Sequence, residues 1–317
     1  MASSDDATGP AADDGAAAFG ALRGRLFGIA YRMLGSVAEA EDVVQDAWLR
    51  WQSTDRSAVL DAAAFLVTTT TRLAINVTQS ARARRESYVG PWLPEPVDTT
   101  ADPALGAERG EALELAVLLL LEKLPPAERA AYVLSEAFDY PYAQIASVLS
   151  VSEVNARQLA SRARKHLSDG RREPAPSSAQ RRLFDAFLAA ARAGDLDALE
   201  SLFTADVVSV SDGGGVVRAA GKPVGGAHRV ARFHAAVARW LWDDAILSPC
   251  DVNGHGAVLI ARAGTPYAVL TVGATANAAR VGSAASSHGI DHVFWVMNPA
   301  KIVRIADAVQ ASTRPGS

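Results

Sequence analysis

The stretch 90–103, GPWLPEPVDTTADP, carries prolines at 91, 94, 96 and 103. Each proline removes a backbone donor and pushes the residue before it out of the helical region, so no helix crosses this stretch. A second break, GRREPAPSS at 170–178, has the Pro/Ser character of a domain linker. The two breaks cut the 317 residues, more than one hydrophobic core commonly uses, into three blocks. Blocks 19–88 and 104–168 read as helices. Block 180–310 opens with an amphipathic helix, Arg181–Ala193. Strand-like runs follow at Val207–Val210, Ala257–Arg262, Tyr267–Val272, His292–Val296 and Lys301–Ile305, with a second helix, Arg229–Trp242, among them. That order predicts an α+β domain with an antiparallel sheet. The expected partition is a disordered tail at 1–18, a helical domain at 19–88, a linker at 89–108 and a second helical domain at 109–170. A short linker at 171–179, the α+β domain at 180–310 and a tail at 311–317 complete it.

Composition excludes several classes. Apolar residues make up 49% and charged residues 21%, as in ordinary globular chains. One cysteine, Cys250, excludes an internal disulfide and a cysteine-rich zinc module. The N-terminus, MASSDDATGPAADDG, lacks the basic start and apolar core of a signal peptide. The longest apolar run, inside LELAVLLLL at 113–121, is less than half of the roughly 20 residues that span a membrane. A cytoplasmic protein with a reduced Cys250 is expected. The net charge of −4 argues at first against nucleic acid. Yet residues 86–128 hold nine acids against Arg109 and Lys123, whereas 72–85 hold four arginines and no acid. Residues 154–172 hold six basic residues against Asp169. Two local basic patches lie hidden in an acidic sum, and screening makes the local charge the one a phosphate meets.

Three helices carry the functional argument. In 41–52, EDVVQDAWLRWQ, Val43, Val44, Ala47, Trp48 and Trp51 share one arc of about 140°. Glu41, Asp42, Gln45, Asp46 and Leu49 lie opposite. They form either a solvated acidic face or a protein-docking face with Leu49 as its apolar contact. In 65–85, Leu66, Leu73, Ala74, Val77 and Ala81 form the buried stripe. The opposite side carries Thr69, Arg72, Asn76 and Gln79, side chains with base-edge and phosphate chemistry, before the run Arg82, Arg84, Arg85. FLVTTTT alone suits a strand, but the long 3.6-residue period favours a helix. In 141–167, a short helix around Ile145, Ala146 and Leu149 meets a tight turn at Ser150-Val151. Ser152 is placed to cap a second helix. There Ala156, Leu159, Ala160, Ala163 and Leu167 share one face, while Asn155, Arg157, Gln158, Ser161, Arg162 and Lys165 cover the other. Two short helices, a tight turn and a basic second helix describe a helix-turn-helix, though a helical hairpin that binds nothing has the same outline.

FGIAYRMLGSVAEAEDVVQDAWLRW resembles region 2 of bacterial extracytoplasmic-function sigma factors, and LPPAERAAYVLSEAFDYPYAQIASVLSVSEVNARQLASRARKHL resembles their region 4. The GPWLPEP linker and the C-terminal block look like the sigma-J-like subgroup with a fused SnoaL-like domain, a cone-shaped α+β fold. The fold implied is multidomain: two all-α sigma domains, a region 2 bundle and a region 4 helix-turn-helix, plus that domain. The partners implied are promoter DNA and core RNA polymerase, through its β′ clamp and β subunit. No membrane partner is expected, and the free protein is expected to be monomeric. By resemblance, Glu41, Asp42, Gln45, Asp46 and Leu49 dock on the β′ clamp helices. Thr69, Arg72, Asn76 and Gln79, with Arg82, Arg84 and Arg85 on phosphates, meet the −10 element. Asn155, Arg157, Gln158, Ser161, Arg162 and Lys165 enter the −35 major groove, where phosphate contacts position and only one or two side chains read bases. The acidic linker suits the RNA channel of the polymerase.

The subgroup carries two marks that this chain keeps in part. Asp212, Gly213, Gly214 and Gly215 are followed by Val216 rather than lysine, and Asn298, Pro299, Ala300, Lys301 lacks the aspartate. Those losses predict a looser clasp or one made by other contacts. Asp212–Gly215 reads most simply as a flexible turn. The resemblance implies that this domain controls the sigma core from within, with Trp92, Leu93, Pro94, Glu95 and Pro96 at the contact. Trp92 and Leu93 are its apolar anchors, and the prolines pre-extend the segment. The expected place for the linker is near Asp212–Gly215. No catalytic, cofactor or metal residue is expected. Asp212, His228, His234, Asp291 and His292 are titratable, but Asp291 and His292 are neighbours on a strand and should face opposite ways. The alternatives are a ligand-sensing helix-turn-helix regulator, or a SnoaL-type enzyme with a DNA-binding appendage.

Overall fold

The structure is a computed structural model that describes residues 10–99, 113–168, 173–276 and 288–313. Two compact units emerge. One comprises residues up to Ala81 together with Leu124–Arg164; the other comprises Arg82–Lys123 and Lys165 onward.

The first unit is helical. It holds α1 (Pro10–Leu34), α2 (Val37–Ser53) and the body of α3 (Ala62–Glu86). It also holds α5 (Pro126–Tyr132), α6 (Tyr142–Leu149) and most of α7 (Glu153–Ser168). Ser36 caps α2, its hydroxyl accepting from the Glu39 amide at 3.4 Å. Most of the apolar arc of α2 is buried as its period predicts: Val43, Val44, Ala47 and Trp51 are at most 3% exposed, while Trp48, at the edge of the arc, is half-buried. The Trp51 indole donates to the Gly15 carbonyl at 2.8 Å. This fixes α1 well before residue 19, so the expected tail is shorter than 1–18. Residues 1–9 lie outside the described residues. The four threonines of α3 do not make a strand. Thr70 and Thr71 are buried beside Leu66, Val67, Leu73 and Ala74, and the broad apolar stripe outweighs their weak helix propensity.

Two buried arginines tie the helices of this unit together. Arg129 of α5 is 2% exposed and donates to the Met33 carbonyl at the end of α1, 2.6 Å away. Arg32 is 1% exposed and lies 5.0 Å from the Phe138 ring centroid. A charge-assisted hydrogen bond such as that of Arg129 is worth about 1.5–3 kcal/mol.

The second unit is a six-stranded sheet with helices on it. Its strands are β1 (Phe203–Asp212), β2 (Val224–Gly225), β3 (Ala245–Val252), β4 (His255–Arg262), β5 (Thr265–Ala276) and β6 (His288–Val296). The spatial order is β2-β1-β6-β5-β4-β3. The pairing is antiparallel except between β1 and β6, which run parallel, so the purely antiparallel expectation is corrected. Two-residue turns join β3 to β4 and β4 to β5. Both have positive φ at both central residues, Asn253-Gly254 and Ala263-Gly264, which matches the twist of a hairpin. Helices α8 (Ser177–Ala193), α9 (Leu196–Leu202) and α10 (Ala227–Leu241) share one core with the inner sheet face, around Phe187, Val207, Val230, Ile260, Leu270 and Trp295. The short helix α4 (Leu115–Leu121) belongs to this unit rather than with the helix-turn-helix.

One element is of the wrong type in the sequence reading. Lys301–Ile305, expected as a strand, lies in helix α11 (Pro299–Thr313). Pro299 takes the first helical position, where a missing donor costs nothing, and the Asn298 side chain accepts from the Ala300 amide at 3.1 Å. Ile302, Ile305 and Ala306 are buried at helical spacing. The helix also runs into the expected tail at 311–317, of which 314–317 lie outside the described residues.

Candidate functional site

In the first unit, α2 presents its polar arc to solvent. Asp42, Gln45 and Asp46 are exposed, and Leu49 is 53% exposed, an apolar side chain without cover. Glu41 is half-buried and accepts from Arg23 at 2.6 Å. On α3, Arg72, Asn76 and Gln79 are exposed and Thr69 half-buried. Arg72 is not idle, however. Its guanidinium donates to the carbonyls of Val148 (2.9 Å) and Ser147 (3.2 Å) and to the Ser150 hydroxyl (2.7 Å), all at the C-terminal end of α6.

The α6–α7 pair has the geometry expected of it. Ser150 ends α6 in a left-handed conformation, φ 55°, and the Ser152 hydroxyl accepts from the Asn155 amide at 3.2 Å. Ala156, Leu159, Ala160 and Ala163 are buried. Arg157, Gln158, Ser161, Arg162 and Lys165 are exposed and Asn155 is half-buried. Arg157 pairs with Glu153 at 2.7 Å and Arg162 with Glu128 at 3.1 Å, yet both guanidinium side chains stay more than half exposed. The Arg157–Glu153 pair, exposed on both sides, is weak, about 0–1 kcal/mol, and gives way to a phosphate at little cost; the carboxylate that holds Arg162 is only 10% exposed, so that pair is firmer.

In the second unit the linker is seated on the outer sheet face. Asp212, at the end of β1, is 0% exposed and gathers the contacts. Its Oδ1 accepts from the Tyr88 hydroxyl (2.6 Å) and the Gly214 amide (3.0 Å). Its Oδ2 accepts from the Leu93 amide (2.9 Å) and the Lys301 ammonium (2.7 Å). Lys301 also donates to the Leu93 carbonyl at 2.5 Å, and Asn298 donates to the Tyr88 hydroxyl at 2.8 Å. Leu93 is fully buried, and Pro94, Glu95 and Pro96 are buried after it. Trp92 is half-buried, with Lys301 4.5 Å and Arg85 3.8 Å from its ring centroid. Burial pushes the Tyr88 phenol well above its usual range, with the Asp212 carboxylate adding to the rise. Burial pulls the Lys301 ammonium down, and Asp212 opposes that fall.

Further along, the linker is held by a residue that sequence reasoning missed. Asn253, 1% exposed in the β3–β4 turn, accepts from the Val97 amide at 3.1 Å and donates to the Leu113 carbonyl at 2.9 Å. Its own amide donates to the Val97 carbonyl at 2.9 Å. The Asn-Gly pair is a hairpin signal in sequence, but nothing local says that the amide turns inward. Tyr88 was missed too, for want of any pattern around it.

Several expected roles change with the geometry. The glycine run is a close packing rather than a slack turn. Gly214 has φ +63°, and a Cβ there would meet the Asn298 side chain; a Cβ on Gly213 would meet the Val217 carbonyl. The two departures from the subgroup marks fall outside the clasp: Val216 is 75% exposed, and Ala300 contributes only its amide to the Asn298 cap. Arg85 is not offered to phosphate, because it pairs with Glu122 and covers Trp92. Arg84 is exposed, and the Arg82 side chain lies outside the described residues. Asp291 and His292 do not face opposite ways. The β5–β6 register skips Asp291, which bulges, so both line one cavity of about 660 Å³ with Trp92, and His292 Nδ1 lies 3.2 Å from Asp291 Oδ1. His228 sits apart, exposed beside Glu200. His234 is 1% exposed, 3.3 Å from the Ser209 hydroxyl, and burial pushes its pKa down to about 3. Among the described residues no group of three acids, histidines or cysteines is placed to hold a metal, and no helix is long and apolar enough to cross a membrane.

Comparison with known proteins gives this geometry its family. Residues 18–86 match Sigma-70 region 2, and residues 114–167 match Sigma-70, region 4. The chain is 43% identical over 223 residues to "ECF RNA polymerase sigma factor SigJ" of Mycobacterium tuberculosis, which covers 68% of this chain and 70% of that protein. It is 34% identical over 251 residues to "Probable ECF RNA polymerase sigma factor SigI" of the same species, covering 78% of this chain and 84% of that one. The crystal structure of Mycobacterium tuberculosis extracytoplasmic function sigma factor SigJ shares its fold with a TM-score of 0.71 at 34% identity, over 90% of this chain and 98% of that one. With both sigma-70 regions in order and a sheet domain behind them, the chain belongs to the extracytoplasmic-function RNA polymerase sigma factors, which act in transcription initiation.

Proposed function

We propose that the chain brings core RNA polymerase to promoters carrying −10 and −35 elements, and that its linker, seated on the C-terminal domain, controls when it does so. Binding to core polymerase and promoter DNA follows from the two sigma-70 regions. The finer assignment is ours. The α2 arc of Asp42, Gln45, Asp46 and Leu49 docks on the β′ clamp, an acidic face with one uncovered apolar contact. Thr69, Arg72, Asn76 and Gln79 meet the −10 element, and Arg84 supplies a phosphate contact. Asn155, Arg157, Gln158, Ser161, Arg162 and Lys165 enter the −35 major groove, where an α-helix fits and bidentate arginines and amides read base edges.

The observation that carries the reading is the α6–α7 pair: a left-handed turn at Ser150 and a capped second helix whose basic face is exposed. Arg72 adds a condition. Its three bonds to the end of α6 must break before it reaches DNA, so −10 binding and the packing of α3 against α6 compete. Polymerase, by binding the separated form better, shifts that equilibrium. Runoff transcription with core polymerase tests the function, comparing the full chain with one ending at Gly170. Activity from either supports it; none from both overturns it. A conventional regulator would instead retard promoter DNA without polymerase.

A further inference from the structure

On the inner face of the sheet, away from the linker, lies a cavity of about 620 Å³. That is within the size range of sites that take small organic ligands. Its walls are aromatic: Phe233 and Trp240 from α10, Tyr267 from β5 and Trp295 from β6. Trp240 is 48% exposed, a large apolar ring held at the rim rather than in the core. Among the described residues no acid lines the cavity.

Of these lining residues only Arg218 carries a charge, and Arg262 stands behind the aromatic wall. Arg218 lines the cavity, is exposed, and makes no ion pair among the described residues. Arg262 lies 5.6 Å from the Trp240 ring centroid and 5.7 Å from that of Tyr267, its charge answered by Asp244 at 2.9 Å. Trp295 is 3% exposed, and its indole N–H has no acceptor among the described residues. That N–H is shut off from the cavity as well as from solvent, so Trp295 offers the cavity its ring and not its donor. His234, stacked on Trp295 at 5.8 Å, bonds Ser209 instead, and neither lines the cavity.

We propose that this cavity is a binding site for a small planar aromatic carboxylate, its ring held among Phe233, Trp240 and Tyr267 and its acid group against Arg218. Aromatic faces favour a flat π-system over an alkyl chain. The unpaired guanidinium favours an anion, and carboxylate geometry suits its planar fork. Among the described residues no acid lines the cavity to repel that anion. The site does not depend on the promoter-binding reading, because it rests on this domain alone.

Isothermal titration of the full chain with 2-naphthoate, and with its neutral isostere 2-naphthamide, tests it. The expected result is one site per chain, with naphthoate bound at least tenfold tighter. Arg218→Gln should weaken naphthoate about tenfold and leave naphthamide unchanged, whereas Arg218→Lys should retain part of the preference. Trp240→Ala, at a position 48% exposed and outside the domain's buried core, should weaken both. Absence of saturable heat with either probe up to millimolar concentration overturns the proposal. So does equal affinity for the two probes, or full naphthoate affinity in Arg218→Gln.

Discussion

Lys301→Met keeps an unbranched side chain of similar length but removes the charge that seats the linker, and with it the ammonium 4.5 Å from the Trp92 ring centroid and 5.1 Å from that of Tyr88. Asp212, at 0% exposure, is then left with only Tyr88, Leu93 and Gly214 as donors. Breaking one side of a buried ion pair costs about 3–5 kcal/mol. Three surviving donors place this case at the low end, about 3 kcal/mol, and the Leu93 carbonyl also loses its ammonium. That energy is roughly a 150-fold change in the seating equilibrium. Hydrogen exchange of the Leu93 amide reads the seating directly, because that amide donates to Asp212 Oδ2. Protection at Leu93 should fall about a hundredfold. The Val97 amide, held separately by Asn253, should lose less than about tenfold, and Ile260 in β4 should not change. Asp212→Asn should act alike, since either orientation of the amide sets an N–H against a donor. Leu93 protection within about threefold of the parent, in a folded variant, would refute the view that this ion pair seats the linker.

Other outcomes follow from single residues. His234 is buried with its pKa depressed to about 3, so the unfolded chain binds its proton first as pH falls below about 6.5; stability from this group is full above that pH and lost on acidification, about 2 kcal/mol between pH 7 and 5 by urea unfolding, and His234→Phe should flatten that slope. Leu49→Asp should lower affinity for core polymerase at least about tenfold, read by fluorescence anisotropy, without moving the thermal midpoint, because the side chain is already 53% exposed. Cys250, its thiol pushed up to about 12 by burial, should react with iodoacetamide at pH 8 roughly a thousandfold more slowly than an open thiol, by mass spectrometry. Arg72→Ala should loosen the α3–α6 contact and raise hydrogen exchange at the end of α6, even without DNA.

The helices that carry the sigma reading were legible because their information is local. In α2 and α7 a 3.6-residue apolar stripe and a serine cap lie within one element, and burial follows the stripe. The linker's seat near Asp212 was legible only through the resemblance, since no periodicity connects residue 93 with residue 212. α11 shows a conflict between two local signals. Lys-Ile-Val-Arg-Ile is rich in β-branched residues like a strand, yet Asn298 and Pro299 just before it are a helix start, and the cap with the i, i+3 burial of Ile302 and Ile305 decides. The shared orientation of Asp291 and His292 could not be read at all, because the bulge exists only in the pairing of β6 with its neighbours. The inward turn of Asn253 likewise depends on what lies across from it, the backbone of residues 97 and 113.

Ser211 and Asp212 are joined by one peptide bond, as are Met297 and Asn298. In each couple one residue lines the inner cavity and the other belongs to the linker's seat. The two couples are stitched together, since the Met297 amide donates to the Asp212 carbonyl at 2.8 Å. Strand neighbours cannot be displaced independently, so whatever pushes on Ser211 or Met297 is delivered to a carboxylate whose bonds of 2.6–3.0 Å leave no slack. The sheet end is a stiff lever one peptide thick: repacking the cavity wall retunes the grip on residues 88–97 on the opposite side, and the two cannot be engineered separately.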